Sequence, residues 1–305
     1  MTNVLDIQNL KTYFHTEAGL VKAIDGISLH VEKGETLGLV GESGSGKTMT
    51  ALSVLNIVPS PGKVNSGKIL FNNNVISNID EEQMRKIRGK KIALIFQDPT
   101  SSLHPLYTVG KQISDILKTH DGLNSKEAKK RVIELFTEVG IPEPEIRVNQ
   151  YPHEFSGGMK QRVAIARALA LDPELLFADE PTTNLDVTIQ AQVLDLLKHL
   201  KKLKQMSLII ITHDMGVVAN ITQRITVLYA GMVAEIADTK TLFKNPKHPY
   251  TRQLLDAVPR PDVKKRLEPI PGNIPQLISP PTGCRFHPRC KYAEKICSEK
   301  IPTLE

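Results

Sequence analysis

The run Gly41-Glu42-Ser43-Gly44-Ser45-Gly46-Lys47-Thr48 has the make-up of a loop that holds an anion. Its glycines let the backbone curl until several N–H groups converge on one point, where side chains would obstruct them. Lys47 adds a cation that can reach the β- and γ-phosphates of a nucleotide, and Thr48 adds a hydroxyl suited to Mg2+. The strand-forming stretch 37–40 leads into the loop and the helical MTALSVLNIV leads out of it, so a helix N-terminus contributes its own positive end.

A second set of polar residues ends apolar runs. LLFADEP (175–181) is a strand that finishes in two adjacent carboxylates. Such a pair is costly unless it works at the strand tip: Asp179 would hold Mg2+, directly or through water, and Glu180 would polarise an attacking water. Gln97 follows IALIF and His213 follows LIIIT. Parallel strands would deliver both to the edge where α/β sheets gather ligands, Gln97 toward Mg2+ or water and His213 toward the γ-phosphate. FSGGMKQRVAIARALA supplies a further anion site, since Ser156 caps a helix whose first N–H groups are left uncovered by Gly157 and Gly158. One nucleotide does not need two such termini from one small domain, so the spare one points to a second nucleotide or a second subunit.

Cys284, Cys290 and Cys297 are the only cysteines in 305 residues. An odd, sparse set argues against a disulfide framework. The C-x5-C-x6-C spacing is wider than the C-x2-C knuckles of structural zinc. Soft thiolates also suit iron–sulfur chemistry, and Arg285, Arg289 and Lys291 would favour deprotonated sulfur. Zinc, an iron–sulfur cluster and three thiols without a metal all stay open.

These residues need a scaffold, and the rest of the chain provides one. Short strand-like runs fill residues 1–40, the first of them antiparallel because their links are short, and NSGKILFNNNVI (65–76) reads as another strand pair. Residues 100–165 turn helical, with Val132, Leu135, Phe136 and Val139 on one face. Strands return at 174–178, 207–212 and 224–231, with a helix between the first two, which makes an α/β core with a helical insert. After about Lys244 proline becomes frequent, and a helix is followed by a loop-rich appendix. No stretch approaches about 18 consecutive apolar residues and the N-terminus lacks secretory-signal features, so the chain reads as cytosolic. The net charge of +6 comes with intermixed acids and only 5% aromatics, a weak case for nucleic acid.

Together GESGSGKT, IFQDP, FSGGMKQR, LLFADEPTTNLD and ITHD resemble the ATP-binding-cassette (ABC) ATPases, in order over roughly residues 3–240. The resemblance implies a P-loop α/β fold with a mixed sheet core, an antiparallel β-subdomain and a helical subdomain. It also implies ATP and Mg2+ as ligands and a head-to-tail dimer in which the Ser156-Gly157-Gly158 helix of one cassette closes ATP on the other. Phe14 or its neighbour Tyr13 would stack on adenine, and Asn184, Leu185 and Asp186 would cross the dimer interface. Gln97 and the helical insert would sense a membrane partner. Phe155 and Met159 stand where many members have Leu and Gln, which reads as a subfamily mark.

The tail, NPKHPYTRQLL and then PPTGCRFHPRCKYAEKIC, resembles the ATPase subunits of dipeptide and oligopeptide importers, a group that includes nickel importers. That resemblance implies a bacterial or archaeal protein at the cytoplasmic face of the membrane, most like the dipeptide-type first ATPase. Its partners would be a related ATPase, two membrane permease subunits and, indirectly, an extracytoplasmic binding protein. Residues 1–243 would form the ATPase domain and 244–305 the extension. Relatives of this type can carry a [4Fe–4S] cluster at these cysteines with a fourth cysteine farther along, which this sequence does not contain: either the C-terminus is cut short, or His287 or a non-protein ligand stands in, or no cluster is present and the thiols are vestigial. ATPases of the same class that act on DNA or ribosomes carry coiled-coil insertions or tandem cassettes, and neither pattern is present.

Overall fold

The computed structural model describes residues 2–183, 185–258 and 270–304. They fall into two compact units, Met1–Ile79 with Ile211–Glu305, and Asp80–Ile210. In chain order the first unit opens with β1 (Asn3–Thr16), β2 (Gly19–Glu32), β3 (Thr36–Val40), α1 (Lys47–Val54), β4 (Gly62–Phe71) and β5 (Asn74–Val75). The second unit contains α2 (Glu81–Ile87), β6 (Ile92–Ile95), α3 (Pro99–Ser102), α4 (Val109–Asp121), α5 (Ser125–Glu138), α6 (Pro144–Arg147), α7 (Gly157–Ala168), β7 (Leu175–Asp179) and α8 (Val187–Lys204). The division falls within β8 (Ser207–Thr212), after which α9 (Met215–Ile221), β9 (Arg224–Tyr229), β10 (Met232–Asp238), α10 (Thr239–Lys244), α11 (Pro249–Asp256) and α12 (Lys295–Glu299) complete the first unit.

In the first unit the order β2-β1-β4-β5 makes an antiparallel sheet, with Thr16 opposite Gly19 at the β1–β2 turn and Leu5 opposite Phe71. Ile27, Leu29 and Val31 are buried on alternate positions of β2, the pattern of a strand with one face in the core. A second set runs β10-β9-β3, with β9 parallel to β3 and antiparallel to β10. β3 is buried along its whole length, as is usual for a strand covered on both faces. Tyr229, Tyr250 and Phe286 pack together, with ring centroids 4.6 to 5.3 Å apart, and bring the C-terminal segment onto β9.

In the second unit β8, β7 and β6 are successive neighbours, and β6 runs parallel to β7 with Ile95 opposite Ala178. The helical insert forms as its sequence demands. α5 begins at an Asn124–Glu127 capping box and buries Val132, Leu135 and Phe136, while Gly140 ends it with φ +71°. α8 ends in Lys201, Lys202 and Lys204, cations that complement the negative end of the helix. Lys204 and Arg131 each pair with Glu138 and Asp172, tying α5 and α8 to the turn before β7.

The strands and helices read from the hydrophobic pattern are present. α2, α9 and β10 had no such signal, and the appendix after Lys244 is more structured than its prolines suggest, since Tyr250, Leu255 and Phe286 are core residues.

Candidate functional site

In the first unit the Gly41–Thr48 loop runs from the end of β3 into α1. Gly41 has no room for a side chain, because a Cβ there would strike the carbonyl of Leu228 on β9. Gly46, the N-cap of α1, has φ +104°, and a Cβ would lie 2.9 Å from the Ala23 carbonyl. Around Gly44 no atom lies within 4 Å of such a position, so the loop crest keeps its backbone open. Lys47 is buried, and its ammonium donates to the carbonyls of Gly41 and Glu42 at 2.8 and 2.9 Å, from which a phosphate can draw it. Ser43 is exposed, Ser45 is buried and Thr48 is half-buried at the first turn of α1.

The loop is also held from behind. The N–H of Gly231, in the β9–β10 turn, donates to the Ser45 carbonyl at 3.0 Å. The Glu42 N–H donates to the Tyr250 hydroxyl at 2.9 Å. Burial pushes the Tyr250 phenol well above its ordinary range, which keeps it a neutral partner for that amide.

Tyr13 and Phe14 on β1 are both half-buried. The Tyr13 hydroxyl donates to Asp25 Oδ1 at 2.5 Å, and burial together with that bond pushes its pKa up to about 12. The Phe14 ring closes against Gly62, where a Cβ would come within 2.6 Å of it. His213 is exposed directly after β8, and Asp214 beside it caps α9 through the N–H groups of Gly216 and Val217.

In the second unit the register Ile95–Ala178 carries Gln97 alongside Glu180 two residues later. Gln97 Nε2 donates to Glu180 Oε2 at 2.6 Å, and the Thr183 hydroxyl donates to the same oxygen at 2.9 Å. Two donors on one oxygen fix the rotation of the carboxylate. Glu180 has φ +44°, a left-handed backbone that costs a non-glycine residue about 1 kcal/mol or more and that recurs where a side chain must be aimed. Asp179, the last residue of β7, is only 3% exposed, and a buried carboxylate at a strand tip suits a divalent cation.

Ser156 and Gly157 are exposed at the start of α7, and Ser156 Oγ accepts from the Met159 N–H at 3.4 Å. A Cβ on Gly158 would press within 2.9 Å of Ile189. Leu185 is half-buried and Asp186 exposed at the N-cap of α8, while Asn184 lies outside the described residues.

The three cysteines are free thiols and neighbours, with the Cys284 N–H donating to the Cys297 carbonyl at 2.8 Å. Burial, with smaller contributions from the other two sulfurs, pushes the Cys284 thiol up. Among the described residues no three His, Cys, Asp or Glu side chains are grouped so as to hold a metal ion. Arg285 and Arg289, expected to favour thiolate, have carboxylate partners elsewhere, Asp25 and Glu42. Nothing in the sequence signals that Tyr250, Asp25 and Arg289 meet the residues of this loop and of the Tyr13 edge, because they lie in segments with no phosphate-binding pattern.

Two family models match the chain, "ABC transporter" over residues 24–183 and "Oligopeptide/dipeptide transporter, C-terminal region" over residues 234–297. The oligopeptide transport ATP-binding protein OppD of Bacillus subtilis is 49% identical over 307 residues, covering 100% of this chain and 86% of that protein. The dipeptide transport ATP-binding protein DppD of Haemophilus influenzae is 47% identical over 302 residues, covering 99% and 92%. Among solved structures, the ATP-binding cassette MJ0796, in a dimeric post-hydrolysis state bound to ADP and Pi, superposes with a TM-score of 0.69. It is 29% identical, over 77% of this chain and 98% of that one.

Two outcomes follow from this geometry. Glu180→Gln keeps ATP binding but lowers hydrolysis by about 10²- to 10⁴-fold, the usual weight of a general base; single-turnover phosphate release measures it, and an unchanged rate would remove Glu180 from the chemistry. Anaerobically purified chain is expected to contain no stoichiometric iron or sulfide by colorimetric assay if the three cysteines stay free thiols, whereas four irons per chain would assign them to a cluster.

Proposed function

Because the chain belongs to the ABC transporter ATPases, in the branch that serves dipeptide and oligopeptide importers, we propose that it powers peptide uptake by hydrolysing ATP beneath a membrane channel. The observation that carries this reading is the pairing of a nucleotide-binding cassette with the C-terminal region of peptide transporters in one chain.

The backbone N–H groups of Gly41–Thr48 and the Lys47 ammonium receive the triphosphate, exchanging the Gly41 and Glu42 carbonyls for phosphate oxygens. The hydroxyl of Thr48, the carboxylate of Asp179 and the amide oxygen of Gln97 are hard donors that would hold Mg2+. When bound, the ion neutralises charge on the β- and γ-phosphates. Tyr13 or Phe14 stacks on the adenine. Glu180, aimed by Gln97 and Thr183, accepts a proton from water as its oxygen attacks the γ-phosphorus and the bond to the β–γ bridging oxygen breaks. His213 supports the attacking water.

The exposed Ser156–Gly157 terminus serves the nucleotide of a second, related cassette, with Asn184, Leu185 and Asp186 at the interface between the two. Dimer closure on ATP and opening after hydrolysis then drive the permease pair. A docking face for those membrane subunits lies on the helical unit. Leu106, Tyr107, Ile146 and Tyr151 are exposed, Leu106 to 76%, on segments joined by the bonds from Val109 N–H to Gln150 O and from Gly110 N–H to Val148 O. Among the described residues no helix is long and apolar enough to cross a membrane. The chain acts from the cytoplasmic face, and the binding protein and permeases choose the substrate.

In a strain lacking this subunit, uptake of labelled dipeptide is expected to fall to background and return with the wild-type gene, while Ni2+ uptake stays unchanged. Loss of nickel uptake alone would overturn the peptide assignment.

A further inference from the structure

The phosphate-binding loop carries a carboxylate, Glu42, one residue from the glycine where it begins. A negative side chain on a loop that must accept a triphosphate is an electrostatic liability unless something cancels it. Arg289, in the C-terminal segment 247 residues away, meets it in a two-pronged pair, with Nη1 to Oε2 at 2.8 Å and Nη2 to Oε1 at 3.1 Å. Arg289 is held in turn: its Nε donates to the Pro271 carbonyl at 2.8 Å and its Nη1 to the Tyr229 hydroxyl at 3.2 Å. Its side chain is 5% exposed against 25% for Glu42, so solvent screens the pair only partly.

The same segment reaches the nucleotide site a second time. Arg285 donates to the Ala230 carbonyl in the β9–β10 turn, whose next residue, Gly231, bonds Ser45 of the loop. The other guanidinium nitrogen of Arg285 pairs with Asp25, and the second oxygen of Asp25 holds the Tyr13 hydroxyl. The two arginines adjoin cysteines, Arg285 following Cys284 and Arg289 preceding Cys290, so the fold of the cysteine loop sets where both guanidinium groups lie.

We propose that Arg289 is a positioning residue of the nucleotide site, cancelling the charge of Glu42 and holding the loop for the triphosphate, and that Arg285 does the same for the Tyr13 edge. The C-terminal segment is thus a working part of the ATP site as well as a mark of the peptide-importer branch. This rests on the reading of Gly41–Thr48 as an ATP site.

The test is equilibrium binding of MgATP to the 305-residue chain. Arg289→Met keeps most of the buried volume and removes the charge, and it is expected to raise the Kd for MgATP about tenfold. Adding Glu42→Gln to that variant removes the stranded carboxylate and is expected to bring the Kd back to within about threefold of wild type. A purely structural arginine would give no such rescue. Wild-type-like binding by Arg289→Met overturns the proposal, and so does equal weakening in the single and double variants. Failure of the wild-type chain to bind MgATP would instead remove the ATP-site reading itself.

Discussion

A loop that offers bare N–H groups to a triphosphate has to spend its forward-facing backbone on the ligand, so whatever holds its shape must come from behind. In this chain the supports are specific. The Leu228 carbonyl closes the space beside Gly41, the Gly231 N–H takes the Ser45 carbonyl, and the Tyr250 hydroxyl takes the Glu42 N–H. All three come from residues 228–250, and Tyr229, Tyr250 and Phe286 pack these residues against the C-terminal segment. The core of the first unit is in this sense the back wall of the Gly41–Thr48 loop.

Glu180, the proposed catalytic carboxylate, meets its own positional demand by another route. Parallel pairing of β6 and β7 puts Gln97 and Glu180 side by side, because each stands two residues beyond the paired Ile95 and Ala178. Strand register brings the groups together, and the left-handed backbone at Glu180 with bonds from Gln97 and Thr183 supplies the final aim. In the proposed mechanism a base fixed in advance leaves no reorganisation for the chemical step.

Much of this was legible in the sequence because the chemistry is local. The glycine spacing before Lys47, the carboxylates ending LLFA and the Ser-Gly-Gly cap of α7 each declare themselves within a few residues, and all lie where strand and helix patterns put them. What escaped was long-range or lacked periodicity. β10 is short and mostly half-buried, so it shows no clear alternation, and α2 exposes nearly all of its residues. Tyr250 and Phe286 sit among prolines, a composition that reads as loop, yet tertiary packing makes them core. The arginines around the cysteines suggested thiolate chemistry when read in line; in space they answer to Asp25 and Glu42, partners 260 and 247 residues distant.

The central claim, that the phosphate loop is held in its binding shape by the C-terminal segment, is tested most directly by hydrogen–deuterium exchange of the Gly41–Thr48 amides without nucleotide. Wild-type chain is to be compared with Arg289→Met. The account requires exchange in this loop to quicken in the variant while α5, in the other unit, exchanges as before. Identical exchange in the loop, or quickening spread evenly over both units, would contradict it.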